Sequence, residues 1–216
     1  MSRPASRARG DRPRVGVRRV ALLAVLAALS SACASAGAAP ARTGTAVPAA
    51  RAEAALGNVS RAERDYLFSR QLMVPVHGVS PSQLRDDFLA PRSGGRRHHA
   101  IDILAPRLTP VVSADFGRVL ALRSNTLGGL ILYIVDDAER FVYYYAHMDS
   151  YREGLRVGDR LRPGEVVGYV GSTGNASDAV PHLHLQIMRF EPRRYWEGVP
   201  VNPFPILLRP GEALPR

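Results

Sequence analysis

The chain has 216 residues, 46% of them hydrophobic, which allows one ordinary hydrophobic core once the segments unable to pack are set aside. Its net charge is +10, but seven of the 29 basic residues lie within the first nineteen positions, and past Cys33 the excess is only +4. This small excess of positive charge is far below that of the phosphate-binding stripe of a nucleic-acid-binding protein, and we therefore expect no nucleic-acid partner. The sequence contains no lysine, which excludes chemistry that needs a lysine amine.

The first 33 residues have the pattern of an export signal. An Arg-rich stretch reaches Arg19, the apolar run Val20–Leu29 follows, and small residues surround Cys33. This run is too short to span a bilayer. Cys33, the only cysteine, stands where a lipoprotein signal is cleaved and acylated. The alternative is ordinary cleavage at Ala34-Ser35-Ala36, with Cys33 discarded. Both place the mature chain outside the cytoplasm, and the first predicts a membrane-anchored lipoprotein of the periplasm or cell envelope.

Two segments precede the main domain. Residues 34–56 are Ala-rich without an apolar period, which predicts a flexible tether. Residues 57–93 are predicted to be a helical lead-in. In it, Ser60 and Glu63 match a capping box, which predicts a helix from about Arg61 to Leu72. Ser80-Pro81 repeats the start signal and predicts a single turn near Ser82 to Arg85.

Residues 94–208 are predicted to form the main domain, and residues 209–216 a C-terminal tail. Beyond Asp102, short β-branched and aromatic runs alternate with Gly, Pro and Asp. This texture predicts a mainly β fold, an antiparallel sheet or sandwich with one or two short N-terminal helices before it. Asp136-Asp137-Ala138-Glu139 is predicted to turn a hairpin. The predicted strands are Ile101–Leu104, Pro110–Ser113, Gly117–Leu122, Leu130–Val135, Phe141–Ala146, Val166–Val170 and His182–Met188.

Four of the six histidines stand in two short contexts, His98-His99-Ala100-Ile101-Asp102 and Pro181-His182-Leu183-His184. Side chains at even separations share a face of an extended chain. His98 and Asp102 are therefore predicted to point the same way, and His99 the opposite way. By the same rule His182 and His184 lie on one face, about 7 Å apart.

Two imidazoles and one carboxylate make a three-ligand set suited to zinc, with a fourth position left for water. The histidine contexts therefore indicate a hydrolytic metal site. His77 and His99 have no spaced partner, and we interpret both as ordinary core or surface residues.

With these residues the sequence resembles the lysostaphin and LytM-type peptidoglycan endopeptidases over about Gly94 to Leu207. Two positions depart from the family pattern, because Ala100 replaces a frequent glycine and Leu108 stands where glycine usually precedes Thr109-Pro110. Neither touches a proposed ligand, so we expect altered turn geometry there and retained chemistry. The segments that carry the resemblance are His98 to Pro106, Tyr145-Ala146-His147-Met148, Gly171 to Asn175 with Pro181 to Leu185, and Pro200-Val201-Asn202-Pro203.

The resemblance implies a role for each of five residues. His98, Asp102 and His184 would hold one zinc ion per chain. His147 and His182 would act on the water and on the developing oxyanion, by general acid/base catalysis or hydrogen bonding.

The resemblance also implies a zinc metallopeptidase that cuts the peptide cross-links of bacterial peptidoglycan by metal-activated water. In an envelope with an outer membrane we expect the bond to be the D-alanyl link to a diamino acid. The sequence points to no particular regulatory protein. The alternative is a non-enzymatic protein of the same fold that binds peptidoglycan or activates an amidase. Such proteins have typically lost zinc-site residues, whereas this chain keeps all five chemical positions.

Overall fold

The computed structural model describes residue 57 and residues 59–208. The predicted signal, tether and tail, with Cys33, lie outside the described residues. Among the described residues, no helix combines the length and the apolar character needed to cross a membrane. The helices are α1 (Arg61–Ser69) and α2 (Phe204–Leu207), with short 3-10 helices at Pro81–Gln83 and Ser93–Gly95. The strands are β1 (Ile101–Leu104), β2 (Pro110–Val112), β3 (Gly117–Asn125), β4 (Gly129–Asp136), β5 (Phe141–Tyr151), β6 (Arg160–Leu161), β7 (Val166–Val170), β8 (His182–Arg189) and β9 (Pro200–Val201).

Between residues 59 and 208 the strands form one nine-stranded sheet in which every pair is antiparallel. Its main path runs in the order β1-β8-β5-β4-β3-β6, with β2 joined through β7 and β9 through β8. The mainly antiparallel β fold is thereby confirmed. The predicted hairpin turn is present too, because Asp136 joins β4 to β5 and its Oδ1 accepts the backbone N–H groups of Arg140 and Phe141 at 2.7 and 2.9 Å.

Strand β5 changes partner along its length. Its first part, Phe141–Ala146, pairs with β8, whereas Met148 to Tyr151 pairs with β7. His147 lies at the change and has a φ of 60°, in the left-handed region that non-glycine residues rarely adopt. The bend therefore places His147 where β5 leaves one neighbour for the other.

Alternation along the strands separates a core face from a polar face. Ile103, Tyr145 and Leu185 point into the main hydrophobic core and are almost completely buried. Asp102 and His184 occupy the opposite parity and are direct register partners across β1 and β8. The period of two thus keeps the polar residues of the site off the core side of the sheet.

Helix α1 packs on the core side of the sheet. Leu67 is fully buried in the main core, and the Tyr66 ring stacks on Phe141 with 5.9 Å between centroids. The Tyr66 hydroxyl donates to Asp136, and Arg189 donates to both carboxylate oxygens of Glu63. The lead-in therefore shares the core of the β domain, on the face opposite to Asp102 and His184.

Arg70 fastens the end of α1 to a buried carboxylate. Its Nε and Nη2 donate to the two oxygens of Asp115 at 2.8 and 2.9 Å, and Asp115 is 1% exposed. Arg70→Met would leave that charge without its main partner, so we expect unfolding free energy to fall by about 3 kcal/mol in urea denaturation. Arg61→Met is the control on the same helix. Arg61 is exposed and lies 3.8 Å from Asp65, so a change below about 0.5 kcal/mol is expected. Equal losses in both variants would contradict the role given to Arg70.

Some predicted bounds were wrong. The capping box is present as predicted, yet α1 ends at Ser69 and not near Leu72, because Gln71 takes a φ of 50° and turns the chain. The second helical turn is a 3-10 helix at Pro81–Gln83. The structure adds β6, β9 and α2, and most of the predicted strands are longer than expected.

Candidate metal centre

Three side-chain atoms from His98, Asp102 and His184 form a nearly equilateral triangle. His98 Nε2 lies 3.0 Å from Asp102 Oδ1 and 3.0 Å from His184 Nδ1. His184 Nδ1 lies 3.1 Å from Asp102 Oδ1. All three atoms therefore point at one common centre, as a set of metal ligands does.

The donor set fits zinc in type and in spacing. Nitrogen and oxygen ligands bind zinc at about 2.0–2.2 Å, so tetrahedral ligand atoms lie about 3.3 Å apart. The three observed separations are shorter by only a few tenths of an ångström. Because these three atoms occupy one face of such a tetrahedron, the fourth direction is left open for water or substrate.

His98 arrives on a hairpin-like segment and not on a strand. The prediction that His98 and Asp102 share a side is confirmed, but its premise of an extended chain was wrong, because His99 has a φ of 55°. Asp87 orients the His98 ring, with its backbone oxygen 3.2 Å and its Oδ1 3.3 Å from Nδ1. Backbone bonds that shape the segment run from His98 N–H to Ala90 O, from His99 N–H to Phe88 O and from Arg92 N–H to Arg96 O.

Asp102 divides its two carboxylate oxygens between different partners. Oδ1 faces His98 and His184, whereas Oδ2 accepts a hydrogen bond from Arg92 Nη2 at 2.6 Å. A metal ion and Arg92 would therefore use different oxygens of one carboxylate.

His147 and His182 flank the triangle in defined tautomers. His147 Nδ1 lies 2.8 Å from Thr173 O, and His182 Nδ1 lies 2.8 Å from Val180 O. A carbonyl oxygen can only accept, so each Nδ1 carries the proton and each neutral ring keeps a lone pair on Nε2. The two rings are 5.0 Å apart, and His182 Nε2 is 3.7 Å from Asp102 Oδ1.

Two glycine turns hold Thr173 against His147. Gly129 and Gly174 both have positive φ, and a Cβ on Gly129 would lie 2.2 Å from Thr173 Oγ1. Thr173 Oγ1 also donates to Met148 O at 2.7 Å. A residue larger than glycine at Gly129 would prevent this close approach of the two turns. The approach holds the Thr173 carbonyl in the position from which it orients His147.

The pKa values of the site residues follow from burial and from the carboxylates of Asp102 and Asp87. Burial disfavours the charged form of His98, yet its bonds to Asp102 and Asp87 outweigh this and raise its pKa to about 9. Burial lowers the pKa of His184 despite its bond to Asp102. Burial favours the neutral acid for Asp102, but the bonds from His184 and His98 hold its pKa well below the usual range. Burial also lowers the pKa of His147 to about 4.

Metal affinity is expected to fall steeply as the pH is lowered. Below a pKa of about 9 His98 holds a proton that a metal ion must displace, so each pH unit lost should weaken binding by up to about tenfold. Titrating zinc at pH 6, 7 and 8 in a non-coordinating buffer measures this slope. An affinity independent of pH over that interval would contradict proton competition at His98.

The structure brings together all five residues that the sequence singled out, whereas His77 and His99 lie outside the group. His77 is exposed, and the His99 ring packs against Phe88. No sequence pattern marks Asp87, Arg92 or the Thr173 carbonyl, since each acts through a contact across a turn that the local sequence does not reveal.

Known proteins share the segment that carries the site. The model of peptidase family M23 matches residues 96–203. The L-Ala–D-Glu endopeptidase of Bacillus subtilis (strain 168) is 34% identical over 120 residues, 53% of this chain and 36% of that protein. The DD-carboxypeptidase/endopeptidase Mpg of Neisseria meningitidis serogroup B (strain ATCC 13091 / M2091) is 35% identical over 114 residues, 52% of this chain and 23% of that protein.

A solved structure shows the same fold. The antimicrobial peptidase lysostaphin from Staphylococcus simulans superposes with a TM-score of 0.52 at 23% identity, over 66% of this chain and 55% of that one. At that identity the likeness concerns the fold alone. The matched part of this chain spans 36% of the length of the Bacillus subtilis relative and 23% of the length of the Neisseria meningitidis relative.

Proposed function

Because the chain belongs to peptidase family M23, we propose that it is a zinc-dependent endopeptidase that hydrolyses peptide cross-links of bacterial peptidoglycan. One observation carries the proposal: the ligand atoms of His98, Asp102 and His184 converge to within 3.0–3.1 Å, beside two further histidines of fixed tautomer. Three ligands with an open fourth direction are the arrangement of a catalytic zinc site and not of a closed structural one.

His98 Nε2, Asp102 Oδ1 and His184 Nδ1 would hold the ion. When bound, zinc supplies Lewis acidity, which lowers the pKa of water and polarises the scissile carbonyl. Asp87 keeps the His98 lone pair on the centre by accepting a hydrogen bond from Nδ1–H, the kind of outer contact that tunes metal ligands.

His147 would act as the general base. Its pKa of about 4 keeps the ring neutral at neutral pH, so Nε2 can accept the proton of the attacking water. The same ring can then deliver that proton to the departing amine. His182, on the other flank beside Asp102, would hydrogen-bond the developing oxyanion as an imidazolium, because its Nδ1–H is committed to Val180 O and an Nε2–H donor requires a second proton.

For the bond, we propose the D-alanyl link to a diamino acid. One relative is named for L-Ala–D-Glu cleavage and another as a DD-carboxypeptidase/endopeptidase, and the second name supports this choice. For the location, we propose export to the periplasm or cell envelope, with a membrane anchor if Cys33 is acylated. The support for export and for the anchor is the N-terminal sequence pattern.

Digestion of purified sacculi tests the function. We expect zinc-loaded protein to convert cross-linked muropeptide dimers into monomers, identified by mass, and the new ends identify the bond. Intact dimers after prolonged incubation with zinc would contradict the endopeptidase. Mass measurement of envelope-fractionated protein, with Cys33→Ala as control, tests the anchor; an unmodified mature chain lacking Cys33 would refute it.

A further inference from the structure

Arg92 contacts the ligand triangle from outside and has no part in the mechanism above. Its Nη2 donates to Asp102 Oδ2 at 2.6 Å. The oxygen that faces His98 and His184 is Oδ1. Arg92 can therefore keep this contact when the triangle holds a metal ion.

The backbone presents Arg92 rigidly next to the site. Arg92 N–H donates to Arg96 O at 2.9 Å, and Pro91 pairs with Arg97 in an antiparallel bridge. Gly94 and Gly95, with φ of 72° and 73°, turn the segment between them. Because the returning arm leads directly into His98, the Arg92 backbone is held in place relative to a ligand, and the bond to Asp102 orients the guanidinium.

Most of the hydrogen-bonding capacity of Arg92 is unused. A guanidinium has five N–H donors, and within the part of the chain that the structure describes its one side-chain acceptor is Asp102. The side chain is 40% exposed. Arg70 differs, since it bonds both Asp115 and Asp137 and is 18% exposed. Arg70 is a structural cation, whereas Arg92 offers donors to solvent next to the carboxylate of the ligand Asp102.

We propose that Arg92 binds a carboxylate of the substrate, carried by the carbon next to the scissile amide nitrogen. The planar guanidinium fork matches a carboxylate, and a charge-assisted pair of this kind is stronger than a neutral hydrogen bond. This inference rests on the proposed peptidase function and names its substrate class. Diaminopimelate cross-linked to D-alanine, a terminal D-alanine and a γ-linked D-glutamate all carry such a carboxylate, whereas a lysine cross-linked through its side-chain amine and a glycine bridge do not. The site is therefore selective for amides followed by an anionic residue.

The test compares one peptide in two forms. The probe is a muropeptide dimer in which D-alanine is linked to diaminopimelate, with the carboxyl next to the cross-link either free or converted to carboxamide. Binding is measured by calorimetry to the zinc-loaded full chain carrying His147→Asn, which suits the left-handed backbone at this position, so that the peptide stays intact. We expect the free acid to bind about tenfold more tightly, as a hydrogen bond to a charged group implies. Arg92→Gln should reduce this preference to within about twofold.

Arg118→Gln is the matched control. Arg118 likewise donates one Nη2 bond to a carboxylate, Glu139 at 2.8 Å, and is 37% exposed. It should retain the preference. Equal binding of both forms by the unsubstituted Arg92 site would overturn the inference. So would an equal loss for both forms in Arg92→Gln together with lost zinc, because Arg92 would then act only through Asp102. Turnover with His147 present is scored separately, so a failure to cleave either form counts against hydrolysis and leaves the binding comparison valid.

Discussion

Replacing His184 by alanine should remove both the metal and the activity. His184 Nδ1 closes the triangle at 3.0 and 3.1 Å from its two partners, and without it one imidazole and one carboxylate remain. The Lewis acid supplies several kcal/mol of transition-state stabilisation, so kcat/KM should fall by about 10³-fold or more. Bound zinc should drop from about one per chain to less than about one tenth after dialysis. Metal analysis and muropeptide release measure the two effects on one sample.

The control for this experiment is His77→Ala. His77 is exposed, and its one hydrogen bond within the described part of the chain is that of its backbone N–H to Pro110 O at 3.0 Å. It should keep zinc and activity unchanged. Full zinc and full activity in His184→Ala would refute the proposed centre. A metal-free chain with His184 intact would instead favour the non-enzymatic peptidoglycan-binding alternative.

The regular part of the sheet was predictable because its signals are local. Strands β1 and β7 begin and end at the predicted residues, since short β-branched runs bounded by turn residues define them. Strands β6 and β9 have two residues each, too few for any period to show. They exist because neighbouring strands supply partners, and that information lies elsewhere in the chain.

The identities of the three ligand residues were predictable from the sequence, but the backbone path that brings them together was not. His182 and His184 follow strand alternation, as expected. His98 does not, because it reaches Asp102 through a folded-back segment with a left-handed residue, His99, between them. Asp87 illustrates the limit: it orients His98 from eleven positions earlier in the chain, across a turn that no sequence period marks.

The contact of Arg92 with the site was also not predictable from the sequence. It is one of 29 basic residues, all arginine, and nothing in its sequence neighbourhood separates it from the others. Its contact with Asp102 follows from the turn at Gly94 and Gly95. The segment matched by the family model begins at residue 96, so Arg92 lies just before that segment while Asp102 lies inside it.

Replacing His147 should abolish most turnover and leave the metal in place. His147 is outside the ligand triangle, and its Nδ1 is committed to Thr173 O at 2.8 Å. Loss of a positioned general base typically reduces kcat by about 10²- to 10⁴-fold. Zinc content should therefore remain near one per chain in His147→Ala while muropeptide release falls by that factor.

The backbone at His147 calls for a second variant. Its φ of 60° disfavours alanine, so a loss in His147→Ala alone could reflect a shifted strand β5. Asparagine tolerates this left-handed conformation and offers no imidazole lone pair. His147→Asn should therefore fold normally, retain zinc and show the same loss of kcat. If either variant released zinc from a folded chain, His147 would be a ligand and not a base. If His147→Asn kept full activity, the proton would have to pass through another group, and His182, whose ring centroid lies 5.0 Å from that of His147, would be the residue to replace next.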